Sequence, residues 1–159
     1  MPAEPLVLPE QLEGARTHRA CVFLLGGVPF AVDVRSAREV VLLEAWTRVP
    51  GAPAPLVGVA NLRGNVLPIV EARPLLGLPA RPIVEGTAAV VLADGAMTAA
   101  MAIEQVLGLD WYDEARPLAE RDDRPCAVYA AGTVPRGDEP PATLLDPSIL
   151  LGALRRAWA

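Results

Sequence analysis

Few side chains in this chain could do chemistry, and the most conspicuous is Arg63, set in an Asn61-Leu62-Arg63-Gly64 turn between two apolar segments. The stretch from Gly58 to Arg73 reads GVANLRGNVLPIVEAR, so the turn lifts one guanidinium out of an otherwise aliphatic surface. Arginine offers five donors in a rigid planar fork and stacks readily, which suits it to a protein interface. No nucleophile, metal-ligand set or phosphate cradle accompanies it. His18 is the one histidine, and no Ser, Cys or carboxylate partner is evident beside it, so neither a catalytic nor a metal role follows. Cys21 and Cys126 lie in the apolar runs ACVFLL and PCAVYA without CxxC spacing, as buried, inert thiols do. The Asp122-Asp123 pair reads as a solvated loop. This pattern describes a docking surface rather than a reaction centre, with no catalytic residue, cofactor or metal.

Such a turn needs a stiff body to present it. Residues 1–18, with Pro2, Pro5 and Pro9, read as an extended, flexible lead. ACVFLL, Gly26-Gly27 and VPFAVDV then predict a β-hairpin. RSAREVV spaces Ala37, Val40 and Val41 for one helical turn, after which a strand runs from Val40 to Leu43. Pro50, Pro53 and Pro55 predict a loop, with a short helix or turn around Leu56 to Val59. NVLPIV is a strand in which Pro68 belongs at an edge or bulge, and ARPLLGL is a short helical piece ended by Gly77. TAAVVLADGAMTAAMAI is a second hairpin, turning at Asp94-Gly95. Val106 to Asp123 reads as a long irregular excursion, and RPCAVYAAG as a strand. VPRGDEPP reads as a loop before a last strand at Ala142 to Leu145. Asp146-Pro147 has the form of an N-cap followed by proline at the first helical position. Ile149, Leu150, Leu151, Leu154 and Trp158 supply the apolar stripe of a terminal helix over 146–159. Val40, Val41, Val57, Val59 and Val66 read mainly as core, and Asn61, Gly58 and Gly64 as residues that shape the turn.

Composition narrows the class. A chain of 159 residues can form one domain or two small barrels sharing a core. Hydrophobic residues make up 52% and aromatics only 4%, so the core must be built from branched aliphatics and alanine, which suits strands. A net charge of -5 with scattered basic residues lacks the basic stripe of a nucleic-acid binder. The opening residues have no basic n-region or sustained apolar h-region, and no segment approaches the roughly 20 apolar residues of a membrane span. A soluble, cytoplasmic protein is expected. Many short strands with few helices point to a mainly β barrel or sandwich.

The order of segments resembles the CheW family of chemotaxis coupling domains from about Cys21 to Leu151. The likeness lies in an FxLGGxxFAVDV opening, an xxxEV segment at Glu39-Val40, a TxVPGAP loop, GVxNLRGxVLPIVExR and a final LLDxxxLL. The resemblance implies a mainly β fold of two five-stranded SH3-like barrel subdomains around a shared core, with a few short helices and a C-terminal helix. The domain is expected over 19–151, with subdomains at about 19–78 and 83–145. It further implies a non-catalytic adaptor that couples chemoreceptor cytoplasmic tips to a CheA-type histidine kinase within receptor arrays.

In relatives one barrel face takes the kinase and the cleft between barrels takes the receptor. By position, Arg63, Asn61, Leu62 and Gly64 fall on the receptor-contacting turn, with Glu39 and Val40 beside it, and Glu39 is expected to pair with Arg63. The kinase-binding residues are unassigned within the second barrel. There Ala99, Ala100 and Ala102 replace the larger side chains usual in the family. An alanine-lined surface buries less area, which weakens kinase docking. Two alternatives stand: a receptor-only accessory protein that has lost the kinase, and a small ligand-binding or enzymatic barrel.

Overall fold

The computed structural model describes residues 18–113, 116–118 and 122–158. The lead at 1–17 lies outside the described residues, and His18 already belongs to the first strand. Among the described residues eleven strands run as β1 (His18–Leu25), β2 (Val28–Asp33), β3 (Ala37–Leu43), β4 (Trp46–Arg48), β5 (Leu56–Leu62), β6 (Asn65–Val70), β7 (Thr87–Ala93), β8 (Thr98–Ile103), β9 (Gln105–Tyr112), β10 (Ala130–Arg136) and β11 (Glu139–Leu145). Single-turn 3-10 helices occupy Arg73–Leu76 and Pro125–Tyr129, and α1 (Pro147–Trp158) closes the described chain. Asp146 caps α1, its Oδ1 accepting from the Ser148 N–H at 2.9 Å.

The strands form a five-stranded sheet in the order β10-β11-β2-β1-β9 and a six-stranded sheet in the order β3-β7-β8-β6-β5-β4. These sheets are not consecutive halves of the chain, so the expected division at about 19–78 and 83–145 does not follow the strand pairing. The opening hairpin β1–β2 pairs with β9 and β11 from the second half, whereas β3 pairs with β7 and β6 with β8.

Strand alternation sorts the apolar side chains into three layers. Ala20 and Val22 of β1 face inward with Ala31, Val134, Ala142 and Leu144, filling the first sheet. Ala100 and Ala102 of β8 face Leu43, Ala60, Ile69 and Ala89, filling the second. Phe23, Leu25, Phe30, Leu92, Met101 and Ile103 point the other way and meet Leu150, Leu151 and Leu154 of α1 in a layer common to both sheets. Each fully buried Leu or Phe contributes roughly 1.5–3 kcal/mol. The mainly β architecture, with two filled sheets about a shared layer, is consistent with SH3-like barrels.

Several local expectations are corrected. Ala37 already pairs with Leu92, so no helical turn precedes β3. Leu56 to Val59 is strand rather than helix, because β5 is held between β4 and β6. Val106 to Tyr112 is not irregular; it belongs to β9, laid against β1. PCAVY is a 3-10 helix that starts at Pro125, and strand begins only at Ala130. The VPRGDEPP loop shrinks to a tight turn, since Glu139, Pro140 and Pro141 open β11. Pro68 sits in an interior strand, yet pairing of β6 with β8 begins at Ile69, just past the proline.

Candidate functional site

The turn at Arg63 is a two-residue hairpin. Leu62 pairs with Asn65, and both central residues have positive φ, 52° at Arg63 and 86° at Gly64. Two positive values define the turn whose twist matches that of the flanking strands. Gly64 takes this conformation at no steric cost, whereas Arg63 is the one non-glycine residue with positive φ among the described residues. Asn61 stitches the turn, its Oδ1 accepting from the Gly64 N–H at 2.9 Å. Asn61 and Gly64 therefore shape the turn that presents Arg63. Gly58 does not shape it. This glycine lies within β5 opposite Arg48, where a Cβ would stand 2.3 Å from the Thr47 carbonyl oxygen.

Arg63 does not point freely into solvent. Its Nη1 donates to Glu39 Oε2 at 2.7 Å and its Nη2 to Glu39 Oε1 at 2.6 Å, a two-pronged pair. The donated hydrogen bonds hold the Glu39 carboxyl below its ordinary pKa. β3 and the β5–β6 tip are far apart in the sheet order, so the pair spans the mouth of the second barrel. The Arg63 side chain remains 71% exposed. Leu62, Arg63, Val66 and Arg38 line an open groove of about 550 Å³ at this mouth.

Beside Glu39 on β3, Val40 faces the opposite way. Val40 and Leu42 are 42% and 62% exposed, and Val66 is 65% exposed. The expectation that Val40 and Val66 belong to the core is overturned. Val41, Val57 and Val59 are half-buried, and Val41 and Val57 pack against the second barrel's interior. Val40 and Leu42 join Val84 and Val106 around a cleft of about 580 Å³ where β3, the segment before β7 and the start of β9 converge. The side chains that sequence reasoning missed are Leu42, Val84 and Val106. The signal for Leu42 was the run VVLL, apolar on both strand faces although one face suffices for a core.

The floor of this cleft is ionic. Glu104, at the step from β8 to β9, accepts from the Gly26 and Gly27 N–H groups and from Arg73 Nε at 3.4 Å. Arg73 is buried and grips Glu71 through Nη1, at 2.8 and 2.7 Å from its two oxygens. Burial alone would raise the Glu104 pKa, but the Gly27 and Gly26 amides with Arg81 and Arg73 outweigh it and hold the carboxyl low.

Ala99, Ala100 and Ala102 are buried to 1% exposure or less, so they line no surface and say nothing about how well one binds. Cys21 and Cys126 are buried free thiols. His18 stacks against Tyr112 with ring centroids 5.2 Å apart. Asp122 pairs with Arg124 at 2.7 Å rather than standing alone in solvent.

Both barrel interiors are filled with side chains, and the candidate residues gather on open grooves at the surface of a mainly β body. Residues 19–155 match the family model described as the CheW-like domain, and the chain belongs to that family. The chain is 35% identical to the chemotaxis protein CheW of Bacillus subtilis (strain 168) over 76 residues, 48% of this chain and 49% of that one. It is 43% identical to a probable chemotaxis protein CheW of Rhizobium etli over 61 residues, 38% of this chain and 39% of that one. Protein PilI of Pseudomonas aeruginosa is 28% identical over 105 residues, 66% of this chain and 59% of that one. The chain thus spans about half the length of the curated relatives it matches. The crystal structure of the scaffolding protein TtCheW from Thermoanaerobacter tengcongensis shares the fold, with a TM-score of 0.72 and 19% identity over 84% of this chain and 86% of that one. No helix among the described residues is long and apolar enough to cross a membrane.

Proposed function

We propose that this chain is a cytoplasmic adaptor that couples chemoreceptor cytoplasmic tips to a CheA-type histidine kinase within receptor arrays. The receptor meets the surface formed by Arg63, Asn61, Leu62, Gly64, Glu39 and Val40, together with the adjoining cleft. The observation that carries this reading is the Arg63 turn, whose guanidinium is 71% exposed yet fixed on Glu39, one residue from the exposed Val40. A fixed cation beside an aliphatic cleft offers a partner both orientation and apolar area at low ordering cost. The names of the chemotaxis relatives support the same system. Two partners held on one rigid body raise each other's effective concentration, and no bond need be made or broken.

The receptor-only alternative rested on an alanine-lined surface, and with those alanines inside the fold its reason is gone. A small-ligand barrel would need a saturable site in the cleft, and a thermal-shift screen of the chain against metabolites that gave a clear hit would favour it. The test is a paired binding assay of the whole chain against a receptor tip and against the kinase regulatory domain. Binding of both, with ternary complex formation, is the expected result. Binding of neither by folded protein overturns the proposal.

A further inference from the structure

Resting on the receptor-docking reading above, one side chain of the junction cleft specifies what its occupant must carry. We propose that Arg81 is a specificity-determining residue, and that the surface it fits is an aliphatic polypeptide face bearing a carboxylate.

Arg81 is anchored by its backbone and carries its side chain at the exposed edge of the cluster. Its N–H donates to Glu71 Oε2 at 2.8 Å, fixing the residue on the buried ion cluster. Its guanidinium lies 3.2 Å from Glu104 Oε2, with the side chain 59% exposed. Glu104 also accepts from two backbone amides and Arg73, so the Arg81 contact is one of several that hold it. Two carboxylates, Glu71 and Glu104, face two guanidinium groups, so the cluster is neutral as built. Arg81 is its outermost and least committed member.

The surroundings select the partner. Val40, Leu42, Val84 and Val106 form the rim, at 42%, 62%, 59% and 38% exposure. The other ionisable side chains lining the cleft, Arg73 and Glu104, are only 4% and 16% exposed. The charge offered to an incoming chain is therefore positive, delivered by a planar fork matched to a carboxylate and ringed by aliphatics that exclude water. A partner presenting lysine at this point meets repulsion, and one presenting only apolar groups leaves the guanidinium unrewarded.

The test uses the whole chain and a receptor cytoplasmic tip, with affinity measured by calorimetry at several salt concentrations. Thermal unfolding and binding of the kinase regulatory domain serve as controls. Arg81→Glu should weaken tip binding by roughly tenfold or more and Arg81→Gln by less, with a flatter salt dependence, while Arg81→Lys keeps part of the affinity. Reversing single Asp or Glu residues of the tip to Lys should restore binding of Arg81→Glu at one position. If the parent binds the tip and both Arg81→Glu and Arg81→Gln bind equally well, the inference falls while the receptor reading stands. If the folded parent binds no tip, the receptor reading itself fails and takes this inference with it.

Discussion

Arg63 and Glu39 face each other across the mouth of the second barrel through two near-parallel hydrogen bonds of 2.7 and 2.6 Å. The pair ties the edge strand β3 to the tip of the β5–β6 hairpin. It also fixes the exposed guanidinium in one orientation, which is the feature the proposed receptor contact relies on. Arg63→Ala and Glu39→Gln should each weaken receptor-tip binding by about tenfold, and the double variant should lose little more than either single one. Because the Glu39 carboxyl is held below its ordinary pKa by Arg63, the pair's contribution is present above the ordinary carboxylate range and is lost as pH falls through the lowered value. An NMR titration of the Glu39 carboxyl in parent and Arg63→Ala proteins should show the value rising in the variant.

The hairpin tip sets stability against presentation. Gly64 has φ 86° and open space where a Cβ would go, so Gly64→Ala should cost only the backbone strain, about 1–2 kcal/mol. Arg63→Gly should relax the 52° φ and raise the melting temperature while it loses the pair and the docking cation. A variant that melts higher and binds worse is the expected signature, read by thermal unfolding and calorimetry.

Gly58 is required for a different reason. A side chain there meets backbone, with the Thr47 oxygen 2.3 Å and the Arg48 Cα 3.1 Å from the Cβ position. Gly58→Ala should force β4 away from β5 and cost ~3 kcal/mol, measurable by denaturant unfolding.

The buried cluster beneath the junction cleft predicts an asymmetry between single and paired changes. Arg73→Met leaves Glu71 and Glu104 without their buried cation and should destabilise by roughly 3–5 kcal/mol. Combining it with Glu71→Gln should recover part of that loss. The lowered Glu104 pKa means that its share of stability holds above the ordinary glutamate value and disappears as pH falls through the lowered one. Glu104→Gln should therefore flatten the acid limb of the stability curve.

Tyr112 governs the alkaline limb. Burial first, and then its hydrogen bond to Asp33 at 2.6 Å, push the phenol up to about 12. A raised value gives stability that is complete below the ordinary 10.0 and is lost as pH rises through about 12. Tyr112→Phe should cost about 1–3 kcal/mol at neutral pH and remove that part of the alkaline decline.

What the sequence made legible is what short-range chemistry encodes. Gly26-Gly27, Asp94-Gly95 and Asp146-Pro147 mark two hairpins and a helix start, and all three occur where expected. β9 was hidden because QVLGLDWY contains a glycine and an acid, and its strand character comes from pairing with β1, more than eighty residues away in sequence. β5 was masked by the prolines before it, and Pro140-Pro141 disguised the opening of β11. At the site, Arg63 stood out from its turn, but its contact with Glu39 lies 24 residues away and was reached only through family resemblance. Val40 and Val66 were misassigned to the core because composition cannot tell a strand face that meets a core from one left exposed. Arg81 gave no signal, since its position depends on a hydrogen bond from its own backbone to Glu71.

The opening hairpin completes its sheet only with β9, β10 and β11. During synthesis, therefore, β1 and β2 leave the ribosome well before β9 to β11, and β3 to β8 can assemble in the interval between them. The nascent chain carries an unfinished sheet edge until residue 145 has emerged. Truncations that spare every residue of the Arg63 turn but remove β11 should strand that first hairpin without a neighbour and expose it to aggregation.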